Sequence, residues 1–284
     1  INNNLYSFYT DGTDVLYKKS SNGSSWGDAV DVDTSDADNL NPSVWHEGNY
    51  IYVSWIDDDV DSVEVNRIDT SSSDSLGTKC TSSDQGTLDS TNIVSVVVTN
   101  NGTVYAAYSD SSTDTEVAIF KLEYSSCTFA DITSGSSVTA SDIPVLVPNG
   151  PQTLNVYFQD GNLSYSIYDG SDWQIANTTI AAVTDSSFTA TNNDSGNNWL
   201  HSVSGTTATN FYTHNSLVYT DIFDALTDGN LYGGQIDIDC PTADDCKIVY
   251  NLSSTIYFVD CNDATCSSPT STVIDAGGSL ASRF

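Results

Sequence analysis

The feature that most constrains this chain is an aromatic-rich segment that follows a turn and recurs roughly every 45–53 residues. The copies are Leu5-Tyr6-Ser7-Phe8-Tyr9, Ile51-Tyr52-Val53-Ser54-Trp55, Val104-Tyr105-Ala106-Ala107-Tyr108, Leu154-Asn155-Val156-Tyr157-Phe158, Trp199-Leu200-His201-Ser202-Val203 and Lys247-Ile248-Val249-Tyr250. Turn sequences such as Gly48-Asn49, Asn101-Gly102 and Asn149-Gly150 precede most of them, and Asn and Gly tolerate the positive φ that tight hairpins need. A strand is expected before each copy, as over Ser43 to His46 and Ile93 to Val98. Another is expected after it, as over Val63 to Ile68 and Val117 to Leu122, with a fourth, polar strand near Cys80 and its counterparts. Four short antiparallel strands per repeat make one blade of a β-propeller.

Counting repeats gives an all-β chain folded as a six-bladed β-propeller, one domain over residues 1–284. The blades fall at 278–284 with 1–32, 41–82, 91–132, 141–182, 186–229 and 233–275. The first copy has no strand before it, and the spare strand lies at the other end, Gly278 to Phe284. The first blade is therefore expected to be completed by the C-terminal strand, within one molecule or by exchange between copies. Two β-sandwich domains of about 140 residues are the competing architecture.

Composition narrows the function classes. The formal charge is −31, with five Lys and two Arg. Such a surface repels nucleic acid and anionic lipid, and no apolar run is long enough to span a bilayer, so neither nucleic acid nor membrane insertion is expected. The absence of Met and of a signal-like segment reads as a processed or trimmed chain. Six Cys in a Ser/Thr-rich chain point to an oxidising, extracellular or cell-surface location. Cys240 and Cys246 flank one turn of the last blade and Cys261 and Cys266 flank another, so each pair is expected to staple a hairpin. Cys80 and Cys127 are left to bridge neighbouring blades if geometry allows. Six sequons, at Asn22, Asn101, Asn162, Asn177, Asn193 and Asn251, are candidate glycosylation sites. Yet 24 Asn and 74 Ser or Thr in 284 residues give roughly six by chance.

The turn Tyr17-Lys-Lys-Ser-Ser-Asn-Gly-Ser-Ser-Trp26 resembles the Asp-box, Ser-x-Asp-x-Gly-x-x-Trp, of sialidase-like (BNR-repeat) propellers. Gly23 and Trp26 match, while Ser21 stands at the Asp position and Lys19 at the first Ser. Tyr168-Asp-Gly-Ser-Asp-Trp173 is a looser echo, and Cys80, Cys127 and Cys266 stand at the Trp position elsewhere. The resemblance implies a propeller in which the box marks the fold. Sialidases grip the substrate carboxylate with three Arg, whereas this chain has Arg67 and Arg283 alone.

No Ser-His-Asp, Cys-His or phosphate-loop pattern occurs. Glu64 and Glu116 are the best candidates for the carboxylates of a glycoside hydrolase, against a background of ordinary exposed strand or loop carboxylates. Three loops expected on one face of adjacent blades concentrate acids, among them Asp31, Asp33, Asp36, Asp38, Asp57, Asp58, Asp59, Asp61 and Asp114. Asp36, Asp38, Asp57, Asp59, Asp61 and Asp114 are the expected ligands if the face holds Ca²⁺, and a solvated acidic face is the alternative. Together these features point first to a non-catalytic extracellular module for structure, adhesion or filament formation. Its partners would be surface proteins, glycans or copies of itself. A carbohydrate-binding propeller is the alternative, with Trp45, Trp55, Trp173 and Trp199 as stacking platforms, although Trp55 sits where a core residue is expected.

Overall fold

The computed structural model describes residues 4–276 except 12, 23, 34–38, 84–87, 89–92, 110–116, 135, 137, 139–143, 160–161, 182–184, 193–197, 205–207, 216–217, 225–235, 243–244, 253–254 and 262–269. Side chains are described up to residue 180. The chain divides into two compact units, Ile1–Leu146 and Val147–Phe284.

The first unit is built of three antiparallel sheets. Sheet A pairs β1 (Leu5–Thr10), β2 (Val15–Ser20) and β3 (Val30–Asp33) in that order. It carries three strands among the described residues, and the expected closing strand, 278–284, lies outside them. Sheet B comprises β4 (Asn39–Glu47), β5 (Tyr50–Asp57), β6 (Ser62–Asp69), β7 (Ser75–Leu76) and β8 (Cys80–Thr81). Its outer position, expected as one polar strand, is broken in two. Leu76 pairs with Ile68 and Cys80 with Val65, and residues 77–79 bulge between them. Sheet C comprises β9 (Ile93–Val98), β10 (Val104–Ser109), β11 (Val117–Glu123) and β12 (Thr128–Asp131).

Strand alternation builds the core. In sheet B, Ile51, Val53, Trp55 and Ile68 point one way and pack with Val15, Tyr17 and Val32 of sheet A. Tyr52, Ile56, Val63 and Val65 point the other way and pack with Val94, Val96, Ala106, Phe120 and Leu122 of sheet C. Both faces of the middle sheet are thus buried, which explains why its strands run apolar almost without interruption. Trp55 is fully buried and belongs to this core, not to a binding surface.

The second unit repeats the plan. Sheet D begins with β13 (Val145–Pro148), whose first residues precede the division, and continues with β14 (Leu154–Gln159), β15 (Leu163–Tyr168) and β16 (Trp173–Ala181). Sheet E orders β17 (Asp185–Asn192), β18 (Asn198–Ser204), β19 (Ala208–Asn215) and β20 (Val218–Asp224). Sheet F orders β21 (Ile236–Thr242), β22 (Asp245–Leu252), β23 (Thr255–Cys261) and β24 (Thr270–Ala276). Every expected strand that falls on described residues has its counterpart here, shifted by at most a few residues at its ends.

Much of the acidity is structural. Asp11 accepts the amides of Thr13 and Asp14, and Asp169 accepts those of Ser171 and Asp172, so each closes a hairpin as an Asx turn. Asp69 accepts the Ser71 hydroxyl at 2.6 Å and its amide at 2.9 Å. These bonds favour the ionised form and hold the carboxyls of Asp11, Asp69 and Asp169 below the usual carboxylate range. In the turn likened to an Asp-box, Asn22 takes this role by accepting the amides of Ser24 and Ser25, and Trp26 stays 43% exposed.

Candidate functional site

In sheets A, B and C the second and third strands of the repeat set a tyrosine opposite a cation. Tyr6 pairs with Lys19, Tyr52 with Arg67 and Tyr105 with Lys121. Opposed residues of an antiparallel pair share a face, so each sheet presents the same cation–aromatic couple at one register position. Three of the chain's seven Lys and Arg residues stand there.

Between sheets A and B the seat is filled from within. Asp74, on the hairpin from β6 to β7, accepts a hydrogen bond from Lys19 Nζ at 2.6 Å and one from Tyr6 Oη at 2.7 Å. The ammonium also lies 5.3 Å from the Tyr6 ring centroid. The bond to Asp74 raises the Lys19 pKa. Burial, with Asp74 adding to it, raises that of Tyr6.

Between sheets B and C no carboxylate among the described residues bonds the cation of the corresponding seat. Its cation, Arg67, lies 4.2 Å from the Tyr50 ring centroid and 4.8 Å from that of Tyr124. Tyr124 opens the hairpin between β11 and β12, whereas Asp74 closes the equivalent hairpin one sheet earlier. Tyr52 completes the aromatic wall, edge-on to Tyr124 at 5.9 Å and to Tyr50 at 6.4 Å. The Arg67 guanidinium is partly exposed and makes no hydrogen bond or ion pair with any described residue. It is a planar set of five donors framed by rings.

The frame is fixed on both sides. Tyr124 Oη donates to Thr78 O at 2.6 Å, and burial pushes its pKa up to about 12, so the phenol stays neutral. The bulge after β7 lets it approach: the Gly77 amide donates to Arg67 O at 2.6 Å, and a Cβ on Gly77 would stand 2.6 Å from Tyr124 Oη. Three residues past Tyr124, Cys127 is bonded to Cys80 of β8, with Cα atoms 4.9 Å apart. The disulfide thus ties the hairpin bearing Tyr124 to the outer edge of sheet B.

Other expected site residues are placed as follows. Asp57 is fully buried at the end of β5, where its Oδ1 accepts the Asp59 amide; Asp59 is exposed, and Asp61 accepts the Leu88 amide at 2.8 Å. No group of three or more metal-ligating side chains forms among the described residues, and Asp36, Asp38 and Asp114 lie outside them. Asp31 is exposed on β3, whereas Asp33 turns inward and is 7% exposed. Glu64, expected on an exposed strand or loop, is instead 1% exposed. It stands opposite Trp55, so alternation aims it into the packing against sheet A, away from any cleft that could admit a sugar. Glu116 lies outside the described residues.

Of the proposed aromatic platforms, Trp45 is partly buried against the core of sheets B and C, and Trp173 packs on Tyr168 at 5.2 Å. Trp199 lies on β18, beyond the described side chains. Asn22, Asn101 and Asn177 are exposed and Asn162 is half-buried, while Asn193 lies outside the described residues and Asn251 sits on β22. Cys246 pairs in register with Cys261, and Cys240 lies on β21 beside the Asp239–Lys247 pair; Cys266 lies outside the described residues. Sequence reasoning missed the Tyr50–Arg67–Tyr124 seat. Its signal was there in the spacing of Lys19, Arg67 and Lys121 along successive third strands.

Neither a family model nor a curated relative matches the sequence. Solved structures do. The SapL1 lectin, in complex with alpha methyl fucoside, superposes with a TM-score of 0.62 at 15% identity, over 98% of this chain and 93% of the lectin. A six-bladed β-propeller, the Aleuria aurantia lectin with its fucose recognition mode, gives 0.60 at 10% identity over 99% and 98%. The chain is a six-bladed β-propeller. YCF48 bound to D1 peptide aligns at 0.56 and 13% identity, over 94% of this propeller and 77% of that chain. These neighbours support the propeller itself and not the Asp-box superfamily in particular. No helix among the described residues of the propeller is long and apolar enough to cross a membrane.

Proposed function

We propose that this propeller is a lectin-like protein that binds saccharide at the Tyr50–Arg67–Tyr124 seat. The observation that carries the proposal is an arginine held against two tyrosine rings, 4.2 and 4.8 Å from their centroids, whose guanidinium donors meet no acceptor among the described residues. Sugars are recognised by aromatic faces against their C–H surfaces and by charged or polar donors to their oxygens, and this seat offers both. The lectins among the structural neighbours support the same reading, since two of them are named for fucose. Composition alone points first to a structural or adhesive module, but the seat gives the binding alternative a location. The hydrolase alternative loses its best described candidate, because Glu64 is enclosed between sheets.

Glycan-array screening followed by calorimetry tests the proposal. The full chain should bind at least one saccharide, and Arg67→Met should abolish that binding while leaving the thermal unfolding transition in place. Saccharide binding that survives Arg67→Met would move the site elsewhere, and silence across the array would overturn the function.

A further inference from the structure

The two neighbouring seats differ in the cation, Lys19 in sheet A and Arg67 in sheet B, and in the side chain that the covering hairpin sets against it. Where sheet B covers sheet A, the hairpin brings a carboxylate, and that carboxylate takes one hydrogen bond from the cation and one from the tyrosine. Where sheet C covers sheet B, the same hairpin brings Tyr124, and the cation is left without an acceptor among the described residues. The filled seat therefore displays the chemistry that satisfies the empty one. Asp74 acts as a built-in ligand, and it is 12% exposed when seated.

From this we propose that the Tyr50–Arg67–Tyr124 seat selects an acidic sugar, a hexuronate, over the neutral sugar of the same ring. The inference rests on the saccharide-binding reading of the seat. Arginine strengthens it: a guanidinium meets a carboxylate with two parallel hydrogen bonds, a geometry that a hydroxymethyl group cannot match. Contact with the rings of Tyr50 and Tyr124 restrains the Arg67 side chain in advance, so less of its freedom is lost on binding. The chain's formal charge of −31 opposes an anion at long range. That repulsion is screened beyond about 8 Å at physiological ionic strength, whereas contact with Arg67 is made well inside that distance.

The test compares methyl β-glucuronide with methyl β-glucoside by calorimetry on the full chain at physiological salt. The glucuronide should bind at least about tenfold tighter, the margin expected of a charge-assisted pair over a neutral one. Arg67→Met should remove that margin. A second variant tests the idea from the other side: Asp74→Ala vacates Lys19 and Tyr6, and the glucuronide stoichiometry should rise by one equivalent over that of the parent chain. Equal affinity for the two glycosides, or a variant with Asp74→Ala whose stoichiometry equals that of the parent chain, would overturn the acidic-sugar inference and leave the lectin reading standing. Failure of every saccharide on the array to bind in an Arg67-dependent way would overturn both.

Discussion

Lys79 and Glu64 meet at 3.0 Å, and the same ammonium reaches Asp33 of sheet A at 3.0 Å, so one cation serves two carboxylates at the junction of sheets A and B. Thr81 Oγ1 donates to the same Glu64 oxygen at 2.8 Å, while Glu64 Oε2 is buried and meets no donor among the described residues. Two buried carboxylates and one ammonium leave an excess negative charge, and protonating Glu64 relieves it. Burial raises its pKa to about 7, with the Asp33 carboxylate adding to the effect; the bonds from Lys79 and Thr81 oppose the shift without cancelling it.

A pH dependence of stability follows. Between pH 4.5 and 7 the folded chain holds this proton and the unfolded chain does not. The contribution of Glu64 is therefore complete below the unfolded value and is lost as pH rises through about 7, a change of about 3 kcal/mol. Denaturant titrations from pH 5 to pH 8 should show that fall. Glu64→Gln, which keeps the shape and discards the titration, should flatten it.

Gly77→Ala places a methyl group where Tyr124 Oη now lies 2.6 Å from the Cβ position. The phenol is held by Thr78 and cannot swing aside without losing that bond. The variant should lose about 1–3 kcal/mol of stability by overpacking and weaken saccharide affinity at the Arg67 seat. An Arg67-dependent affinity equal to that of the parent chain would show that the Tyr124 position does not matter to binding.

The Cys80–Cys127 bond closes a loop of sequence separation 47, for which chain entropy gives about 4 kcal/mol. Replacing both residues by Ser should lower the denaturation midpoint accordingly. Because the bond also tethers the hairpin carrying Tyr124, the doubly substituted protein should bind saccharide more weakly even where it is fully folded.

In sheet F, Cys246 has a cysteine on each side, Cys240 on β21 and Cys261 on β23. The hairpin bonds Cys240–Cys246 and Cys261–Cys266 are the expected pairing, and non-reducing peptide mapping should recover both. A Cys246–Cys261 peptide would assign the bond to the strand register instead of the turns.

The blades were legible because each second strand carries its aromatic residues at period two behind a turn, and that pattern is local. Val104 to Tyr108 announces β10 without reference to any other part of the chain. The seat was not legible in the same way. Arg67 looks like the polar end of a strand, and only pairing with Tyr52 and cover from Tyr124, 57 residues on, give it a role. Glu64 was misplaced for a related reason. On the middle sheet both faces are buried, so alternation no longer sorts polar residues toward solvent. The acidic residues serve more than one purpose that composition does not separate, since Asp11, Asp69 and Asp169 are occupied in closing turns.

If the proposed saccharide site is correct, the recurrence of one cation–tyrosine couple in sheets A, B and C ties the number of binding sites to the hairpins that cover it. A tip that carries a carboxylate plugs the site below it, and a tip that carries a ring leaves the site open. A protein with one open seat holds a glycan, whereas one with two or three cross-links glycan-bearing surfaces, with avidity far above that of any single site. On that reading, cross-linking strength would follow from the side chains at the hairpins that cover each seat, such as Asp74 over Lys19 and Tyr124 over Arg67.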